Sequence, residues 1–267
     1  MKNNKLAFKT ADQSNPERPA NLHAETIAGV IASLDKIVDW SKINSKRAGY
    51  FAALYRKVTI KVKEGIESGY FENAARMEKL DVIFANRYLD AFENYYNGLP
   101  VTKVWQLAFK LLDEWHHIVL HHLMIGMNAH INLDLGIAAA QTVTANEMPG
   151  LKADFDKIND VLSDLVDVVE NELAIIWPVF KWLDNIAGNI DERMADCGMV
   201  FARDRAWDFA MSYAHASDKE AEIQKMDSKM YLIGQLFLSP GLIKRANLLL
   251  IRIGERGSVK AKIEVLE

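Results

Sequence analysis

The sequence predicts an all-α protein: a single helical-bundle-like domain around a buried central helix. Three observations predict it. Apolar residues recur at helical spacing along most of the chain, with no convincing alternating strand and no internal repeat. The prolines, Pro16, Pro19, Pro100, Pro149, Pro178 and Pro240, mostly fall between the periodic segments. One central stretch, 114–141, carries apolar residues on every face, as a buried helix does.

The elements follow in order. Residues 1–22 are polar, lack the apolar run of a signal peptide, and read as a flexible arm. Residues 23–267 show no linker and read as one domain. Helical stretches are expected at 24–40, 46–68, 72–97, 101–125, 127–144, 150–176, 179–187, 190–215, 218–237 and 240–256. Gly98 followed by Pro100 ends the third. Ser217 and Glu220 form an S-x-x-E capping box. Ser239 and Pro240 supply an N-cap and a first-turn proline. Trp177 and Trp182 read as packing a junction at Pro178. The 240–256 stretch, with Lys244, Arg245, Arg252 and Arg256, reads as a terminal helix docked on the core rather than a membrane-surface helix.

Composition excludes several classes. The chain has 267 residues and a net charge of −4, so a broad basic footprint for nucleic acid is not expected. Cys197 is the only cysteine, which excludes an intrachain disulfide and a cysteine-cluster metal site. No stretch reaches about 18 uninterrupted apolar residues, so no transmembrane segment is expected. A cytoplasmic protein is the reading. No Walker loop, dinucleotide glycine motif or nucleophile elbow is present.

The central stretch, EWHHIVLHHLMIGMNAHINLDLGIAAAQ, holds the polar chemistry. His116, His117, His121 and His122 fall within seven residues, and His130 follows. His130 and Asp134 are i and i+4, about 6 Å apart on one face, and can share a metal ion or a hydrogen bond. Asn128 and Asn132 form a second such pair, and His117 and His121 a third. His122 lies twelve residues from Asp134, about 18 Å of helix rise, so the two reach one metal only if the helix breaks at Gly126. The alternative for His130 and Asp134 is a structural hydrogen bond.

This segment carries a resemblance. GMNAHINLDLGIAAA, with MEKLDVIFANRYLDAF upstream and ADFDKINDVLSDLVD downstream, resembles a bacterial all-helical family catalogued only as a domain of unknown function. The similarity runs from about residue 25 to 215. It implies a fold class and a set of motif positions, and no activity. In that family the position of His121 is often glutamine, which argues against a ligand role there.

Two further helices carry carboxylates. In 77–95 the apolar stripe is Met77, Leu80, Phe84, Tyr88, Phe92 and Tyr95, and Asp81 lies inside it. A carboxylate there must be paired, protonated or metal-bound, with Arg87 and Tyr88 as candidate partners. Asp81 is therefore a candidate metal ligand or general base. In 154–172 a polar edge of Asp156, Asn159, Asp160, Ser163, Asp167 and Glu170 runs beside the apolar face. NDVLSDLVD is similar to the second magnesium motif of class I terpene cyclases, with Asp167 where that motif has glutamate. Asn159 and Asp160 enter the candidate catalytic set with Asp81. The plainer reading of this edge is a solvated face.

Three functions remain. The first is a metal-dependent enzyme, hydrolase or non-haem iron type, acting on a small or lipid-like molecule. Its metal ligands are His122, His130, Asp134 and Asp81, and its divalent metal is Zn or Fe rather than Mg. H-x-x-x-D is also similar to one element of the zinc-dependent phospholipase C and nuclease group. The second is a terpene-cyclase-like Mg²⁺ enzyme using Asn159, Ser163 and Asp167. The third is a non-enzymatic helical protein whose buried polar network fixes packing. A small-molecule substrate is the expected partner, and a homodimer the candidate assembly.

Overall fold

A computed structural model describes residues 17–177, 190–238 and 252–267. The elements are α1 (Ile27–Ile43), α2 (Ala48–Glu67), α3 (Ala74–Tyr96), α4 (Lys103–Leu111), α5 (Val119–Ala129), a π-helical turn (His130–Asp134), α6 (Leu135–Thr142), a 3-10 turn (Ala145–Glu147), α7 (Met148–Ile176), α8 (Ile190–His215), α9 (Lys219–Leu238) and α10 (Val259–Leu266). Among the described residues there is no strand, and no helix is long and apolar enough to cross a membrane. The fold is all-α, as the periodicity predicts.

The central rod is α5, the π turn and α6 in one run. Helices α2, α3, α4, α8 and α9 pack around it. No residue from His117 to Ala140 is exposed, which is the reason this stretch is apolar on all sides. Helix α6 meets α8 tightly. A Cβ on Gly136 would sit 2.7 Å from the Ala206 carbonyl oxygen and 2.6 Å from the Phe209 ring, so only glycine lets α6 and α8 meet there.

Several boundaries differ from expectation. The 101–125 stretch is two helices: α4 stops at Leu111 and α5 starts at Val119. Between them Asp113, Glu114, Trp115 and His116 are exposed, and that polar run interrupts the buried stripe. The expected break at Gly126 is absent. Helix α5 passes straight through it, and Gly126 instead makes room for Phe51, whose ring a Cβ would approach to 2.5 Å. The rod changes pitch four residues later, where the Leu135 N–H donates to the His130 carbonyl in an i→i+5 turn. Asp218, not Ser217, caps α9, accepting from the Ala221 N–H at 3.0 Å. Helix α10 was not expected, because two turns are too short to show a period. Ser258 caps it, and Ile263 and Leu266 are fully buried.

Residues 17–22, expected as part of a flexible arm, are anchored. Arg18 donates to the Tyr96 carbonyl at 2.8 Å, Glu93 accepts from the Leu22 N–H, and the Leu22 side chain is fully buried. Residues 17–22 are thus fixed to α3. The rest of the arm, the 179–187 helix with Pro178 and Trp182, and the Ser239–Pro240 start with Lys244 and Arg245 lie outside the described residues.

Candidate functional site

The π turn places its two ends side by side. His130 Nδ1 lies 3.3 Å from Asp134 Oδ2, so the i, i+4 pair is formed. Asp134 is fully buried and also accepts from Arg87 Nε at 2.7 Å through Oδ1 and from Trp105 Nε1 at 2.8 Å through Oδ2. Burial alone would raise its pKa. Arg87, then His130 and Trp105, outweigh that and hold the carboxyl below its ordinary value. Arg87 therefore serves Asp134 and not Asp81, the partner expected from sequence.

With both oxygens occupied and a guanidinium beside it, Asp134 is a poor ligand for a shared cation. It works on His130 instead. Burial lowers the His130 pKa more than Asp134 raises it, so the imidazole is neutral. Its Nδ1–H points at the carboxylate and its Nε2 has no hydrogen-bond partner. Phe84 stacks on the ring with centroids 3.6 Å apart, and Tyr55 meets it edge-on at 4.5 Å.

His130 forms part of the wall of a cavity of about 550 Å³ between α2, α3, the central rod, α7 and α8. The other walls are mostly apolar: Leu54 and Val58 from α2, Met124 and Met127 from α5, Leu165 and Val169 from α7. The charged lining residues are Glu170 and Arg203. Sequence reasoning missed Arg203. A signal was available: it shares a stripe with Ala206, Ala210 and Tyr213, all buried, as Asp81 shares one with Met77 and Phe84.

Asp81 shares the neighbourhood of this pair, since it and Asp134 both act on Tyr55, while the remaining predicted residues are scattered. Asp81 is buried, as its stripe implies, but Oδ2 has no partner. Burial, then the nearby Glu78 charge, pushes its pKa up to about 7. His122 lies away from His130, in a small recess with Ala108, Phe109 and Gly126, beside the Tyr50 ring. Phe51 borders both places. Both His122 nitrogens lack partners, and burial first, then Arg47, keeps the ring neutral. On α7, Asp160 is exposed and accepts from the Tyr70 hydroxyl at 2.6 Å. Ser163 and Asp167 are exposed too, and Asn159 is half-buried with an unpartnered Oδ1 outside the cavity lining. The cavity side of α7 is the apolar stripe, so the magnesium-motif edge faces the wrong way for a ligand in this cavity.

A different group has the spacing to hold a metal: Glu114, His116 and His117, whose ligand atoms lie within 4.8 Å of one another. Glu114 Oε2 is 2.9 Å from His117 Nε2, and His117 Nδ1 is 3.4 Å from His121 Nδ1. None of these four residues lines the cavity.

A family model matches residues 27–240, that of a family of unknown function, DUF5995. The chain belongs to DUF5995. The match takes in the whole central rod, Asp81, the acidic face of α7 and Arg203, and stops short of α10. No curated protein and no solved structure matches the chain. Membership of DUF5995 thus agrees with the expectation of an all-helical family of unknown function and brings no activity with it.

Proposed function

We propose that this chain takes a small, lipid-like molecule into the cavity and acts on it through His130, as a hydrolase that uses the imidazole as its general base. One observation carries the reading: a neutral imidazole, fixed through Nδ1–H to an ionised Asp134 and unpartnered at Nε2, stands in the wall of an apolar cavity. That combination gives a proton acceptor of fixed tautomer, the pairing that activates water or a hydroxyl in acid–base catalysis. A cytoplasmic location and a homodimer remain part of this reading.

A metal-dependent version has one specific support. A carboxylate behind the Nδ1 side is how metal-ligating histidines are usually held, which would make Nε2 a ligand for Zn or Fe. In that version His130 binds the metal and Asp134 only orients it. The four-residue set of His122, His130, Asp134 and Asp81 is not favoured, since Asp134 is saturated by its donors.

The test uses protein purified without chelator or a nickel column. Metal content is measured in the wild type, His130→Ala and His117→Ala. Hydrolysis of p-nitrophenyl dodecanoate is followed in the wild type and His130→Gln. The general-base reading expects a rate loss of about 10²–10⁴-fold in His130→Gln, with metal content unchanged by His130→Ala. Stoichiometric Zn or Fe that disappears in His130→Ala replaces it with the metal version. Metal lost only in His117→Ala belongs to the Glu114 group. An unchanged hydrolysis rate in His130→Gln overturns a catalytic role for this residue.

A further inference from the structure

Arg203 is the anomaly of the cavity. Its residue is 3% exposed, and its guanidinium lies 4.4 Å from the centre of the Phe155 ring. It makes one hydrogen bond among the described residues, from NH2 to the Phe155 carbonyl, and Nε has no partner. Asp156 and Asp204 are close enough to act on its charge, yet no carboxylate among the described residues comes within ion-pair distance of it. Burial lowers its pKa only to about 10, so the group stays charged at neutral pH. Among the described residues only NH2 has a hydrogen-bond partner while Nε is buried without one, and so deeply buried a guanidinium is costly unless an anion completes it.

The shape of the cavity says what that anion is attached to. Its α7 wall runs from Ile158 to Leu173, about 22 Å of helix. Apolar side chains line most of that length, which is long enough for an extended hydrocarbon chain lying along the helix. Arg203 sits over Phe155, at one end of this wall. Glu170, the lining carboxylate, is fifteen residues further along α7, about 22 Å away in rise, so it does not compete for the same headgroup. Met124 and Met127 line the same space, and their flexible thioethers adapt to an alkyl chain.

We propose that the cavity holds a single-chain anionic amphiphile, a fatty acid or an alkyl phosphate, with Arg203 anchoring its headgroup and its tail lying along α7 past His130. The planar fork of arginine matches either oxyanion through two parallel hydrogen bonds. The proposal rests on the reading of the cavity as a ligand site and adds the class of ligand.

Calorimetric titration at pH 8 with dodecanoate, dodecyl phosphate and dodecanol tests it. The wild type is expected to bind at least one of the anions about tenfold or more tighter than dodecanol, and the tighter of the two identifies the head. Arg203→Met should reduce anion affinity by about ten- to a hundredfold, the range of a charged hydrogen bond, and leave dodecanol unchanged. Should that variant fail to fold, Arg203→Lys keeps the charge without the fork and should lie between the two. Equal binding of dodecanol and both anions by the wild type overturns the role of Arg203 while leaving the cavity a ligand site. No binding of any of the three overturns both.

Discussion

At the π turn, Asp134 is buried among Arg87, Trp105 and His130 and holds its charge. In the middle of α3, Asp81 is buried with no hydrogen-bond partner among the described residues and holds its proton up to about pH 7. The two carboxylates act on the same tyrosine, Tyr55, so they occupy one neighbourhood of the core. The difference teaches that burial alone does not decide ionisation. The number of donors delivered to the carboxylate does, and here the donors come from α3 and α4, not from the carboxylate's own helix except for His130.

Removing the charged member should do the most damage. Asp134→Ala leaves Arg87, Trp105 and His130 without their shared acceptor, and a loss of about 3–5 kcal/mol in urea unfolding is expected. A loss below about 1 kcal/mol would mean the network is dispensable and the contrast with Asp81 is empty.

Removing the other should do the reverse. The unfolded chain releases the Asp81 proton near 3.9, the folded one at about 7. The stability linked to that proton is fully present below about pH 4 and is lost as pH rises through 7. Asp81→Asn should therefore raise stability at pH 8 by up to about 4 kcal/mol and change little at pH 4. An unchanged slope of stability between pH 4 and 7 would show that Asp81 finds a partner in solution.

Between them stands His130, whose folded pKa is lowered. Because the folded state resists protonating it, its contribution holds above the unfolded value of about 6.5 and is lost as pH falls below that. His130→Gln should flatten the acid side of the stability profile, with a cost of about 1–3 kcal/mol at pH 8 from the altered bond to Asp134. The smallest effect belongs to the outer face of α7. Asp160→Asn and Asp167→Asn should each change stability by less than about 0.5 kcal/mol and leave amphiphile binding unaltered, since both residues are exposed. Loss of binding in Asp167→Asn would restore the magnesium-motif reading.

Sequence alone was enough for the all-α class, most helix ends, the burial of the 114–141 stretch apart from its exposed ends at 114–116 and 141, and the burial of Asp81. Each of these is a matter of local period, where a polar residue in an apolar stripe is visible from its neighbours. It also paired His130 with Asp134, because side chains four apart on a helical face meet whatever the fold. What the pair does was decided by tertiary structure. Arg87 and Trp105 arrive from α3 and α4 and turn Asp134 from a free ligand into a saturated one. Packing likewise moved His122 to its own recess, faced Ser163 and Asp167 outward, and set Arg203 on the cavity wall. A one-dimensional pattern fixes which face of a helix is buried. Which other helix covers that face, and with what donors, depends on contacts between residues tens of positions apart.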